Sequence, residues 1–286
     1  MLQLASNQNL SDETVKKLAD LQSLIDKKTS FTAKAKKAKS LWKSKPKKEF
    51  SEVKEKLLKL CVSVEICNYC EQNEANDIEH IDPKSFFPES TFKWENYLLA
   101  CKQCNSAYKL DKCFVLDGIG NLHLTTRGQE PSFKINALIN ARTENPCDFM
   151  ILNMQDFTFE ILDDLTTNNL HKAEKTIQIL ALNERATLKH GRKNISTYIY
   201  QRLDLLVKIH SATSTQEIEV LLTPHDNYLN KTLTLQDQKD LIKNGFKNDI
   251  LTQAHQSVWY AIKMVESKVN TKWQAIFTAL PEIANW

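Results

Sequence analysis

The sequence predicts an α+β fold that is predominantly α-helical, and three observations lead there. Of 286 residues only 5 are Gly and 7 are Pro, so few points break a helix. Apolar residues recur at helical spacing over long spans, as in Leu18, Leu21, Leu24 and Ile25, and again in Ile199, Leu203, Leu206 and Ile209. Between these spans lies a different stretch, Cys67 to Lys109, where short apolar runs alternate with turns and cysteines.

Length allows one large domain or two modest ones, each with its own core. The net charge of +3 is too small to indicate a partner by itself. Met1 to Val15 lacks a basic-then-apolar leader pattern, and no run reaches the roughly 18 apolar residues of a membrane span. Seven cysteines, an odd number, suit a reducing cytosol better than a disulfide framework. The expectation is a cytoplasmic protein without a membrane segment.

Three parts are expected along the chain: a basic helical region (1–62), a metal module (63–125) and a C-terminal helical region (126–286). In the first, Ser11 before Asp12 and Glu13 is an N-cap followed by acids that favour the positive helix end. A break at Thr29-Ser30 leads into a lysine-rich run with no acid from Lys27 to Lys48. This is either a solvated helix face or an arm that contacts phosphates through Lys34, Lys36, Lys37 and Lys39. Phe50, Val53, Leu57, Leu58 and Cys61 mark a further helix.

In the module, Val62–Ile66 reads as a short strand, Ile78–Ile81 as a second and Tyr97–Leu99 as a third, with a helix opening at Cys104. Val115–Leu124 reads as a hairpin turning at Asp117-Gly118, and His123 within it as structural. Cys61, Cys113 and Cys147 read as plain thiols. Beyond Asn145-Pro146 the chain becomes helical from Leu170. Pro224 interrupts it, and Trp259, Trp273 and Trp286 lie in a tail whose apolar stripes read as core.

The chemistry concentrates in Cys67–Lys109. Cys67-x-x-Cys70 and Cys101-x-x-Cys104 have the spacing of a structural Zn²⁺ site, each pair presenting two thiolates from one tight turn. Between and beside them lie Glu79-His80, Asn96 and Asn105. Hydrolysing a phosphodiester needs a base for water, a cation on the phosphate oxygens and help for the departing 3′ oxygen. His80 suits the base, because neutral imidazole is common near pH 7. A carboxylate oxygen with the Asn105 amide oxygen would suit Mg²⁺ or Mn²⁺. Asn96 would brace the loop that holds His80. Lys109, one turn after Asn105, and Lys84 could meet phosphate.

This order of residues resembles the HNH endonuclease family, in its four-Cys zinc subset. The resemblance implies a ββα-metal (HNH, His-Me finger) module with His80 as base and Asn96 as the central Asn. Glu79 and Asn105 then fall at the catalytic metal positions. Asn105 stands where many members have His, and Glu-His stands where others use Asp-His or His-His. The runs Ile78-Glu79-His80-Ile81-x-Pro83-Lys84-Ser85 and Trp94-x-Asn96, with the Cys-Asn-x-x-x-Lys ending, resemble more narrowly the PtuB nuclease of Septu and retron-associated anti-phage systems. The segment Thr176–Asn183 followed by Leu188 and Arg192 adds to this. That likeness implies a DNA substrate, a PtuA-type ATPase partner, a bacterial cytoplasm and possible pairing with a second copy of the chain. A stand-alone restriction-type HNH nuclease, and a zinc-stabilised DNA-binding or scaffold protein without activity, are the alternatives.

Overall fold

The computed structural model describes residues 1–4, 7–222, 228–230 and 232–286. Helices dominate, interrupted by three small antiparallel sheets. The chain forms two compact units: Met1–Ile151 with Thr158–Leu188, and Leu152–Phe157 with Lys189–Trp286. These units do not follow the divisions expected at 62/63 and 125/126. The physical reason is an aromatic core shared between the basic helices and the cysteine-framed module.

That core begins with α1 (Asp12–Asp26), capped by Ser11, whose side chain accepts from the Thr14 amide. α2 (Phe31–Lys43) is capped by Ser30, and α3 (Lys47–Leu58) follows after a short turn. Glu52 on α3 accepts from the Ser11 amide at 2.7 Å and its hydroxyl at 2.8 Å, so α3 holds the start of α1. Trp42, near the end of α2, meets Phe50 of α3 at 5.2 Å between ring centroids. It also meets Tyr97 at 5.6 Å and Phe92 at 6.1 Å, both from the module. Gln22 of α1 accepts from the Phe92 amide and donates to the Pro88 carbonyl, clasping the same loop.

The module is built on β1 (Asp77–His80) and β2 (Tyr97–Ala100), paired antiparallel with His80 opposite Tyr97 and Asp77 opposite Ala100. Val62–Ile66 is not a strand, and only Ile66 makes an isolated bridge, to Glu74. Val62 and Val64 are exposed, so the alternating pattern there has no face to bury. The helix after the second cysteine pair is a single π-helical stretch, Gln103–Lys109, in which the Leu110 amide reaches back to the Asn105 carbonyl at 2.8 Å.

The expected hairpin is β3 (Phe114–Leu116) with β4 (Leu122–Leu124), and β5 (Ile135–Asn136) adds a third strand. Its turn is organised by the Asp117 carboxylate, which accepts from the amides of Ile119 and Asn121 and from His123. His123 also stacks on Phe133, a structural role. Burial pushes the Cys113 thiol up to about 12, leaving it inert. β6 (Met150–Leu152) pairs with β7 (Phe159–Ile161). α4 (Thr167–Ile179) buries Ala173, Thr176 and Ile177 in the first unit.

The second unit is helical, holding α5 (Ala186–Ser211) from Lys189 on, α6 (Thr215–Leu221), α7 (Leu235–Leu251), α8 (Gln256–Ala261), α9 (Ser267–Val269) and α10 (Thr271–Ala279). The stripe Ile199, Leu203, Leu206 and Ile209 is buried, as are Phe246, Trp259 and Trp273. Arg192 is buried too and donates to the Phe157 carbonyl at 2.8 Å, a structural bond. Pro224 lies outside the described residues. No helix among them is long and apolar enough to cross a membrane.

Candidate active site and cysteine cluster

The four cysteines converge because β1 and β2 bring their flanks together: Cys67 and Cys70 precede the hairpin and Cys101 and Cys104 follow it. Their sulfurs all lie within 4.8 Å of one another and all four residues are buried. A tetrahedral ion with Zn–S bonds of about 2.3 Å needs sulfurs about 3.8 Å apart. Cys70 Sγ and Cys101 Sγ stand 3.9 Å apart, so the cluster fits such an ion. Four thiolates on one divalent ion leave net negative charge, and the sulfurs collect donors accordingly. The Cys104 amide and Asn73 Nδ2 point to Cys101 Sγ at 3.4 and 3.6 Å.

Arg185 supplies the charged one among these donors. Its guanidinium donates to Cys104 Sγ at 3.3 Å and to Gln103 Oε1 at 3.2 Å while stacked over the Tyr108 ring. Nothing in the cysteine motif points to a residue 81 positions away. The nearby segment Thr176–Asn183 carries part of the narrower resemblance, and Arg185 lies just beyond it. Losing such a supporting donor commonly weakens a metal site about 10- to 100-fold. Arg185→Ala should therefore release zinc at lower chelator concentration than the unaltered protein, read by a colorimetric chelator. Equal release curves would refute the role.

Beside the cluster, β1 separates two functions, since adjacent strand residues point to opposite faces. The His80 ring packs edge-on against Trp42, with centroids 4.1 Å apart, and against Tyr97 at 5.4 Å. Nε2 donates to the Thr91 carbonyl at 3.0 Å. A carbonyl can only accept, so the proton sits on Nε2 and the Nδ1 lone pair is free. Burial, reinforced by the Lys84 cation, holds the imidazole well below its ordinary range. The imidazole is neutral.

Asn96 fixes that arrangement from behind. Its amide nitrogen donates to the carbonyls of Asp82 (3.1 Å) and Ser90 (2.9 Å), and its oxygen accepts from the Asp82 amide (2.7 Å). Both ends of the loop between the strands are thus tied, one residue from the carbonyl that orients His80. The Tyr97 hydroxyl donates to that same Thr91 carbonyl at 2.7 Å.

On the other face, Glu79 is buried and its carboxylate is ion-paired with Lys109. Lys109 is 1% exposed and also donates to the His80 carbonyl at 2.7 Å. The expectation that Lys109 meets phosphate is thereby corrected: its ammonium is held inside as the counter-charge of Glu79. A buried carboxylate is costly without such a partner. Burial pushes the Glu79 carboxyl above its ordinary range, and Lys109 offsets this in part. Asn105 donates to Asp77 Oδ2 at 3.2 Å. Asp77, two residues before Glu79 on the same strand face, was not anticipated. By holding the amide nitrogen it leaves the Asn105 oxygen available to a ligand.

Glu79, His80 and Asn105 line one cleft of about 660 Å³, together with Lys84, Lys36, Lys39 and Arg127. Lys36 and Lys39, three apart on α2, share the face that looks into it. Lys34 and Lys37 are not among its lining residues. Lys84 lies 5.7 Å from the Trp42 ring centroid. Carboxylate and amide oxygens on a cleft are hard donors, which suits Mg²⁺ or Mn²⁺ rather than a soft metal.

A neutral imidazole with a free lone pair, hard oxygen donors and a rim of cations are the equipment of a phosphodiester-cleaving hydrolase. Residues 67–109 match the family model described as HNH endonuclease, and the chain thus carries an HNH endonuclease domain. In a comparison with curated proteins, none matches the chain.

Proposed function

We propose that the protein is a metal-dependent DNA endonuclease. The observation that carries this is the single cleft lined by His80, Glu79 and Asn105 together with Lys36, Lys39, Lys84 and Arg127. Glu79 and Asn105 would hold Mg²⁺ or Mn²⁺, which supplies positive charge to the phosphate and the departing 3′ oxygen when bound. His80 Nδ1 takes the proton of the attacking water, and Thr91 keeps the ring oriented for it. Zn²⁺ on Cys67, Cys70, Cys101 and Cys104 anchors the two flanks of the hairpin. Its role is structural.

Lys36, Lys39 and Lys84 bind backbone phosphates without reading sequence, while Arg127 at the same rim is engaged by the Asp111 carboxylate. Each phosphate contact removed should lower the slope of log affinity against log salt by about one unit. Lys36→Ala with Lys39→Ala should do so in filter-binding titrations, while Lys34→Ala with Lys37→Ala should leave the slope unchanged. The reverse pattern would relocate the phosphate track.

The narrower resemblance extends this reading to bacterial anti-phage defence with a PtuA-type ATPase partner, the second unit being the docking surface for it or for another copy. An ATPase encoded beside the gene and co-purifying with the protein supports the extension, and its absence removes it. Truncation to test docking belongs beyond Leu188. A cut near Asn169 falls inside α4 and removes Arg185 as well.

A further inference from the structure

One residue at the mouth of this cleft has a conformation that packing does not explain. Leu110 ends the π-helical stretch with φ +49° and ψ −110°. The Lys112 amide closes a turn onto the Lys109 carbonyl at 2.8 Å, which makes Leu110 the first central residue of a type II′ turn. That position favours glycine, because a β-carbon there crowds its own backbone. The side chain gains no compensating burial, being 55% exposed. Exposed leucines on ordinary backbone are unremarkable. Among the described residues, however, Leu110 is the sole exposed large hydrophobic with a positive φ.

Its position gives the strain a use. Leu110 lines the same cleft as His80 and Asn105, and Phe31 from the start of α2 lines it too. Cations for phosphates and apolar side chains for base faces therefore share one opening. Strained residues persist where the conformation serves a site. We propose that Leu110 is an apolar wedge that presses into the base stack of duplex DNA held in the cleft, kinking it so that one phosphate reaches His80. Unstacking a base step opens the duplex to just such apolar insertions. The inference rests on the nuclease reading and adds the form of DNA that the site selects.

The test uses the full chain and a DNA duplex carrying 2-aminopurine at successive steps, whose fluorescence rises on unstacking. Leu110→Gly, Leu110→Ala and Leu110→Phe are compared in a His80→Ala background that leaves the duplex uncut. Fluorescence should rise with Leu110 and Leu110→Phe and stay flat with Leu110→Ala and Leu110→Gly. With His80 restored, the two small variants should cut plasmid more slowly at saturating DNA, by on the order of tenfold to a hundredfold. Leu110→Gly should melt no lower than the unaltered protein, which separates the effect from misfolding. Flat fluorescence with Leu110 itself, or undiminished fluorescence with Leu110→Gly, overturns the wedge. A fluorescence rise in a protein that never cuts DNA, with Mg²⁺ or Mn²⁺ and any co-purifying ATPase supplied, overturns the nuclease reading and leaves only the apolar insertion standing.

Discussion

Replacing Cys101 with serine should cost the protein its fold. Zinc bound by four thiolates contributes apparent free energies of about 10–16 kcal/mol, against about 5–15 kcal/mol for the whole stability of a typical domain. Serine offers no thiolate, so one corner of the tetrahedron is lost. Cys101 Sγ also accepts from the Cys104 amide and from Asn73, bonds a serine hydroxyl could keep, so the loss falls on the metal corner. The cluster joins the residues before β1 to those after β2, so its loss frees both flanks of the hairpin that carries Glu79 and His80. The variant should be insoluble, or show a collapsed far-ultraviolet spectrum, while the unaltered chain carries about one zinc by elemental analysis. A folded Cys101→Ser protein, or an unaltered chain free of zinc, would sink the assignment.

Glu79→Ala should be nearly as damaging, for a different reason. It leaves the Lys109 ammonium buried with only the His80 carbonyl to receive it. Removing one partner of a buried ion pair costs about 3–5 kcal/mol, because the remaining charge has lost its solvation twice over. Adding Lys109→Met should return part of that stability, since it removes the unpaired ammonium and leaves only the small cavity at residue 79. Cleavage should stay absent in both variants, because the oxygen donor is gone. Denaturant titration of the single and double variants checks the first claim. A double variant as unstable as Glu79→Ala would show that the pair is not the source of the loss.

Parts of this site were legible because their signals are local. The two cysteine pairs, the strand ending in His80, the strand beginning at Tyr97 and the cap at Ser11 each declare themselves within a few residues. Asn96 was legible as a loop brace because it sits one residue before its strand. What stayed hidden depends on folding back. Trp42 reaches His80 across 38 positions of sequence only because α2 and α3 pack on the hairpin. Arg185 reaches Cys104 only once α4 has docked. Spacing placed Lys109 near Asn105 but could not reveal that it lies in the interior, where a carboxylate outbids phosphate. Nor does any propensity foretell a leucine at a glycine position.

The most direct measurement is plasmid cleavage by zinc-replete protein, with Mg²⁺ or Mn²⁺ supplied, comparing the unaltered chain with His80→Ala and including the ATPase partner if one co-purifies. General-base catalysis contributes about 10²–10⁴-fold, so His80→Ala should lose cleavage by at least that order while keeping its zinc and its fold. Cleavage by His80→Ala at the unaltered rate would contradict the account.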